Sequence, residues 1–193
     1  LYNMKLNEKI NTPIGGEPSP IMPHPSDEEW NSISLPWMAF GYGVYLTPIQ
    51  ILTFYNAVAN NGEMLKPKFV NKISSIGNKP IHEIEREVIM PSICSQKTLD
   101  VVKEMLQNIV EKPWGTANRI NNDYVKIAGK TGTSQTKYWS NGDEPIDKQY
   151  IASFVGYFPS DNPKYTGIVV IHEPNKSKGY YGGTVAAPVF KRI

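Results

Sequence analysis

Three residues with complementary chemistry stand side by side at Lys130, Thr131 and Gly132, inside the run Ile127-Ala128-Gly129-Lys130-Thr131-Gly132-Thr133-Ser134. Two chemistries use such a triplet. A phosphate-binding P-loop ends in Gly-Lys-Thr but needs a glycine five positions earlier, so that the backbone can curl around phosphate oxygens. Tyr124 occupies that position, and its bulk excludes the geometry. The other chemistry is acyl transfer, for which Lys-Thr-Gly on an edge strand is one of three catalytic signatures. There the lysine supplies a fixed positive charge for a substrate carboxylate, the hydroxyl adds a directed hydrogen bond, and the glycine lets the substrate backbone lie close. The backbone N–H after the glycine can point at a developing oxyanion, and losing one such donor typically costs about a hundred- to a thousand-fold in turnover. A surface lysine and two threonines on an ordinary strand is the plain alternative for a lone triplet; the surrounding elements and motifs decide between the two.

Around the triplet the pattern is strand-like. Val125 to Thr133 reads as one strand, Ser134 to Lys148 as a polar loop, Tyr150 to Phe158 as a second strand, and Tyr165 to His172 as a third after a turn at Pro159 to Pro163. Short connections make the three antiparallel. Upstream, Thr47, Pro48 and Gln50 form a capping box with proline at the first helical position, followed by Ile51, Phe54, Tyr55 and Val58 at helical spacing. A helix is expected over 48–60, ending at Asn61-Gly62. Ser95 caps a second helix to about Lys112, with Leu99, Val102, Leu106 and Ile109 on one stripe. Residues 68–90 alternate weakly around Gly77-Asn78 and predict a hairpin. Six prolines and two glycines within residues 1–36 predict an irregular connection in place of a continuous helix, and Val185, Val189 and Ile193 predict a closing helix from Thr184. The expected class is α/β, an antiparallel sheet flanked by helices, with residues 1–46 as connection and 47–193 as the structured part of one partial domain.

Composition narrows the field. The chain has 193 residues, 40% hydrophobic and 20% charged, with a net charge of +2, which leaves no basic footprint for nucleic acid and no polybasic membrane patch. The longest apolar run, Gly167 to Ile171, is strand-sized. A single cysteine, Cys94, excludes an internal disulfide and a cysteine-rich zinc site, and its neighbours predict an inert buried thiol. His24, His82 and His172 lack metal-ligand spacing, so neither metal nor cofactor is expected.

The order of further motifs is specific. Ala39-Phe40-Gly41-Tyr42-Gly43, Leu46-Thr47-Pro48-Ile49-Gln50, Asn60-Asn61-Gly62, Gly115-Thr116-Ala117, Ala128 to Gln135, Phe154 to Pro159, and Tyr180-Tyr181-Gly182-Gly183-Thr184-Val185-Ala186-Ala187-Pro188-Val189-Phe190 follow one another as they do in class B penicillin-binding proteins. The resemblance runs from about Gly15 to the last residue and is nearest to the division-specific transpeptidases. It implies the C-terminal part of a transpeptidase domain with the serine beta-lactamase-like fold. It also implies a D,D-transpeptidase acting on D-Ala-D-Ala stem peptides of peptidoglycan through an acyl-serine, and acylated by beta-lactam antibiotics. The resemblance makes Lys130 and Thr131 the carboxylate and proton-network residues and Gly132 the close-approach position. Thr133 becomes a carboxylate hydrogen bonder and backbone oxyanion donor, and Tyr138, Trp139 and Asn141 flank the groove. A serine beta-lactamase, or a non-catalytic beta-lactam sensor or scaffold of the same fold, is the alternative.

Two strings imitate the other signatures. Ser134-Gln135-Thr136-Lys137 spells Ser-x-x-Lys and Ser160-Asp161-Asn162 spells Ser-x-Asn. The family's nucleophile opens a buried helix well before the Lys-Thr-Gly strand, whereas Ser134 follows that strand and Ser160 lies in a proline-flanked turn. The true elements are therefore expected upstream of Leu1, which leaves residues 1–193 inactive alone. The resemblance further implies an N-terminal membrane anchor with this domain outside the cytoplasm, in the periplasm, and cell-division or wall-synthesis proteins as partners. It places N-terminal strands beside Tyr165 to His172, so without them that sheet edge is expected to be exposed or to drive self-association.

Overall fold

A computed structural model describes residues 1–77, 79–136 and 148–193. The N-terminal stretch is mostly irregular, with a 3-10 turn at Tyr2–Met4 and one short helix, α1 (Ser34–Ala39). That helix is absent from the sequence reading. Pro36 is its third residue, inside the first turn, where no intrahelical N–H is required, so the proline does not oppose it. Helix α2 spans Pro48–Ala59 with the expected capping box: Gln50 N donates to Thr47 Oγ1 and Thr47 N to Gln50 Oε1 at 2.8 Å. It ends where Asn61 and Gly62 both take positive φ. Its buried face differs from the expected one. Gln50, Thr53, Ala57 and Val58 are buried while Ile51, Phe54 and Tyr55 are half-exposed, because the N-terminal segment crosses over Gln50, whose Nε2 donates to Glu8 O.

Four short strands follow: β1 (Met64–Leu65), β2 (Lys72–Ser74), β3 (Pro80–Glu83) and β4 (Val88–Met90). β2 and β3 form the expected hairpin, nested within the β1–β4 pair. Helix α3 (Gln96–Glu111) has Ser95 as N-cap, accepting from Thr98 N, and buries Leu99 and Leu106 as the stripe predicts. A 3-10 turn at Asn118–Ile120 then leads to the main sheet.

That sheet has three antiparallel strands in the order β5 (Ala128–Gln135), β6 (Tyr150–Phe158), β7 (Tyr165–His172). The first strand begins three residues later than expected, because Asn122 Oδ1 accepts from Tyr124 N and Val125 N and holds that stretch in a turn. It also runs two residues further, since Ser134 and Gln135 pair with Ile151 and Tyr150. The single closing helix is instead two, α4 (Gly182–Val185) and α5 (Ala187–Phe190). Pro188 has no N–H to give to Thr184, so the ladder breaks between them.

Alternation along β6 divides the core in two. Tyr157 joins Ala57, Val58, Leu99 and Leu106 on the face covered by α2 and α3. Phe154 packs edge-on to Phe190, 4.9 Å between centroids, with Ile120, Ile127, Ala186 and Ala187 on the other face. Cys94 is half-buried against the first cluster. The sheet is thus clamped by helices on both faces, which leaves its two edges as the places where backbone groups can meet a partner. β5 forms one edge and β7 the other.

Candidate active-site strand

Lys130, Thr131, Gly132 and Thr133 all lie on β5, and β5 is an outer strand of its sheet. Its ladder with β6 is in continuous register, Lys130 opposite Val155 and Gly132 opposite Ser153. Thr136 N donates to Gln149 O at 2.9 Å, which fixes the phase. Residues two apart share a direction in an antiparallel pair, so Gly132 and Ser134 turn their amides toward β6, and Thr131 and Thr133 turn theirs to the outer edge.

The side chains are held by elements remote in sequence. Thr131 Oγ1 lies 2.9 Å from Thr116 Oγ1, in the loop after α3. Two hydroxyls share one bond there, so one proton of the pair is left to donate elsewhere. Thr133 Oγ1 accepts from Gly182 N at 3.0 Å. A hydroxyl used in that way as acceptor keeps its own proton to give. Lys130 Nζ donates to Thr131 O at 2.8 Å, and its side chain keeps access to solvent. Burial of part of that side chain pushes the lysine pKa below its ordinary value, since desolvation disfavours the ammonium. A carboxylate docking beside it would reverse that pressure.

Two close approaches shape the strand. A Cβ on Gly132 would collide with Ser153 Oγ, and one on Gly182 with the carbonyl oxygens of both Ser153 and Gly132. The segment 180–183 therefore lies directly on β5. Its tyrosines extend the surface: Tyr180 stacks on Tyr150 with centroids 4.2 Å apart and packs at a tilt on Tyr181 at 4.4 Å, and Tyr180 Oη donates to Tyr181 Oη at 3.1 Å. In the sequence Tyr180-Tyr181-Gly182-Gly183 is legible only as a family segment, because the 49 residues between Gly182 and Thr133 hide the contact.

The remaining sequence candidates fall elsewhere. Tyr138, Trp139 and Asn141 lie outside the described residues, as does Lys137 of the first imitation motif. Ser134 belongs to β5 itself and opens no helix, contrary to the expectation that it enters a loop. Ser160 lies five residues beyond Val155, the partner of Lys130, and its backbone N donates to Lys126 O. Both serines are thus poorly placed to open a helix facing Lys130. His24 contacts Ser26 and Tyr2, His82 is on exposed β3 and His172 ends β7. Among the described residues, no group of three His, Cys, Asp or Glu side chains converges as a metal site.

The family profile described as the penicillin binding protein transpeptidase domain matches residues 16–193. The chain is 29% identical over 189 residues to the peptidoglycan D,D-transpeptidase FtsI of Buchnera aphidicola, covering 98% of this chain and 31% of that protein. It is 28% identical to penicillin-binding protein PbpB of Mycolicibacterium smegmatis, covering 100% of this chain and 30% of the relative. The chain therefore spans about a third of the length of these relatives. Among solved structures, penicillin binding protein 3 of Mycobacterium tuberculosis in its apo form superposes with a TM-score of 0.81 at 26% identity, covering 100% of this chain and 43% of that one. The same protein complexed with aztreonam gives 0.80 at 25% identity, with the same coverage. A family match over nearly the whole chain and a shared fold agree with the strand geometry: the chain belongs to the penicillin-binding protein transpeptidase family, as part of a class B transpeptidase domain.

Proposed function

We propose that this chain forms the substrate-carboxylate and oxyanion wall of a peptidoglycan D,D-transpeptidase whose serine nucleophile lies outside residues 1–193. The observation that carries the reading is the row of donors on the outer edge of β5. Lys130 supplies the ammonium, the Thr131–Thr116 hydroxyl pair keeps one proton to give, Thr133 Oγ1 accepts from Gly182 N and keeps its own, and the Thr133 amide faces outward. A D-Ala-D-Ala stem peptide ends in a carboxylate, and such a row matches it.

In the proposed reaction the serine oxygen attacks the carbonyl carbon of the penultimate residue. Negative charge gathers on the carbonyl oxygen, where the Thr133 N–H stabilises it. The C–N bond breaks, the terminal D-alanine leaves with a proton, and an amine from a neighbouring strand then displaces the serine. Beta-lactams present the same carboxylate and an amide that opens but stays attached, so they trap the acyl-serine. Tyr138 and Trp139, outside the described residues, are proposed to contact the substrate. The parent protein is proposed to be anchored in the cytoplasmic membrane by an N-terminal helix, with this domain in the periplasm and cell-division or wall-synthesis proteins as partners. Among the described residues no helix is long and apolar enough to cross a membrane.

The test is labelling by fluorescent penicillin of the full-length protein that carries this segment. Wild type should be acylated and Lys130→Ala should not; retained labelling at equal rate would refute the assignment of Lys130.

A further inference from the structure

We propose that Tyr180 is a positioning residue for Thr133: the three-ring cluster it joins presses the Gly182 amide onto the Thr133 hydroxyl and so orients that hydroxyl's proton into the groove. This inference rests on the transpeptidase reading for its catalytic consequence, but its structural part stands separately.

The geometry is a short chain of contacts. Tyr150 opens β6 and faces Gln135 across the ladder, so its ring is fixed to the sheet. Tyr180 lies against it, ring planes 21° apart, and Tyr181 packs on Tyr180 at 4.4 Å with a 33° tilt. The chain then passes straight into Gly182, which is buried and too close to the Ser153 and Gly132 carbonyls to accept a Cβ. Gly182 N donates to Thr133 Oγ1 at 3.0 Å. Alternative rotamers of a threonine hydroxyl on an exposed strand edge are close in energy, so an unclamped Thr133 would deliver its proton to the groove only part of the time. With one lone pair facing the Gly182 N–H, the hydroxyl's proton is turned away from the strap. The aromatic stack is what keeps the strap down. Helix α4 is a single turn, and Thr184 N and Val185 N both return to Tyr181 O, so the segment has little internal rigidity of its own. A stacked aromatic pair contributes free energy beyond its buried area.

The experiment is a double-mutant cycle on the full-length protein, with Tyr180→Ala and Thr133→Val, read as the second-order rate of acylation by fluorescent penicillin. Tyr180→Ala alone should slow acylation about five- to tenfold, the worth of one oriented hydrogen bond. In the Thr133→Val background the same change should cost less than about twofold, because the hydroxyl it orients is gone. Tyr180→Phe keeps the stack and should stay within about twofold of wild type. Equal losses from Tyr180→Ala in both backgrounds would overturn the proposal and make the ring a direct ligand contact. Amide hydrogen exchange at Gly182 gives a second reading that needs no acylation. Protection should fall about tenfold in Tyr180→Ala and be kept in Tyr180→Phe, and unchanged protection in Tyr180→Ala would also overturn the proposal. If wild type takes no label, the transpeptidase reading fails and exchange at Gly182 alone decides the positioning role.

Discussion

Adding one methyl group at Gly182 and at Gly132 should have very different consequences, although both glycines lie against the same strand pair. At Gly182 a Cβ meets the carbonyl oxygens of Ser153 and Gly132 and comes within 3.1 Å of Gly132 N. All three atoms are backbone of β5 and β6, locked in a ladder of eight paired positions. They cannot yield without breaking strand pairing, so the overpacking cost belongs at the upper end of the usual range, about 3 kcal/mol. The alanine recovers about 0.4–1 kcal/mol by restricting the unfolded chain. The net loss is about 2 kcal/mol, or a Tm roughly 4–8 °C lower for a chain of this size. At Gly132 the Cβ meets only Ser153 Oγ, with Ser153 Cβ 3.8 Å away. A serine hydroxyl swings to another rotamer, so Gly132→Ala should cost less than about 0.5 kcal/mol, and Ser153→Ala should remove even that. Thermal unfolding of the variants, followed by circular dichroism, reads the difference. A Gly182→Ala protein melting within 1 °C of wild type, or a Gly132→Ala protein as damaged as Gly182→Ala, would refute the claim that the 180–183 strap rests on strand backbone.

Two further outcomes follow from the same geometry. Because burial lowers the pKa of Lys130, the alkaline limb of the kcat/KM profile, which reports the free protein, should lie below the ordinary lysine value of about 10.4. Lys130→Arg keeps its charge to far higher pH and should lose that limb; an identical limb in the variant would assign it to another group. The sign for stability is the matching one: the ammonium is a cost below the folded pKa, relieved as pH rises through it toward the unfolded value. The β7 edge, paired only with β6 among the described strands, should make the isolated 193-residue chain associate as concentration rises. Light scattering that holds at the monomer mass, with β7 amides protected from exchange, would contradict that expectation.

What the sequence disclosed and what it withheld separate by range of interaction. The capping box of α2 and the Ser95 cap of α3 are decided within four residues, and both formed as read. The Lys-Thr-Gly strand was legible because its chemistry is contiguous and strand periodicity is local. Boundaries slipped where one residue altered the backbone bonding near it: Asn122 delayed β5, and the missing Pro188 N–H divided the last helix. The buried face of α2 was misjudged because its arbiter, the Gln50 contact with Glu8, spans 42 residues. The partners of the two threonine hydroxyls lie 15 and 49 residues away, and nothing in the local pattern announces either. The family segments named Thr116 and Gly182 in order, yet order along a chain carries no contact.

Those two remote partners give the strand a chemical direction that its residue types alone do not. A threonine hydroxyl is both donor and acceptor, so Lys-Thr-Gly-Thr in isolation could greet a cation's ligand shell as well as a carboxylate. Gly182 N–H reduces the ambiguity at Thr133 by filling one of its two acceptor sites, and the Thr116 hydroxyl takes up one half of the Thr131 bond. Lys130 can only donate, and the Thr131 and Thr133 amides on the outer edge can only donate. The balance of the edge is thus tilted toward donors by groups outside the motif. Under the proposed transpeptidase reading, a wall biased in this way would favour negative charge twice, at a bound carboxylate and at the oxygen that becomes an anion when the acyl carbon is attacked. Loosening Gly182 or Thr116 should therefore weaken both functions together without touching any residue of the motif.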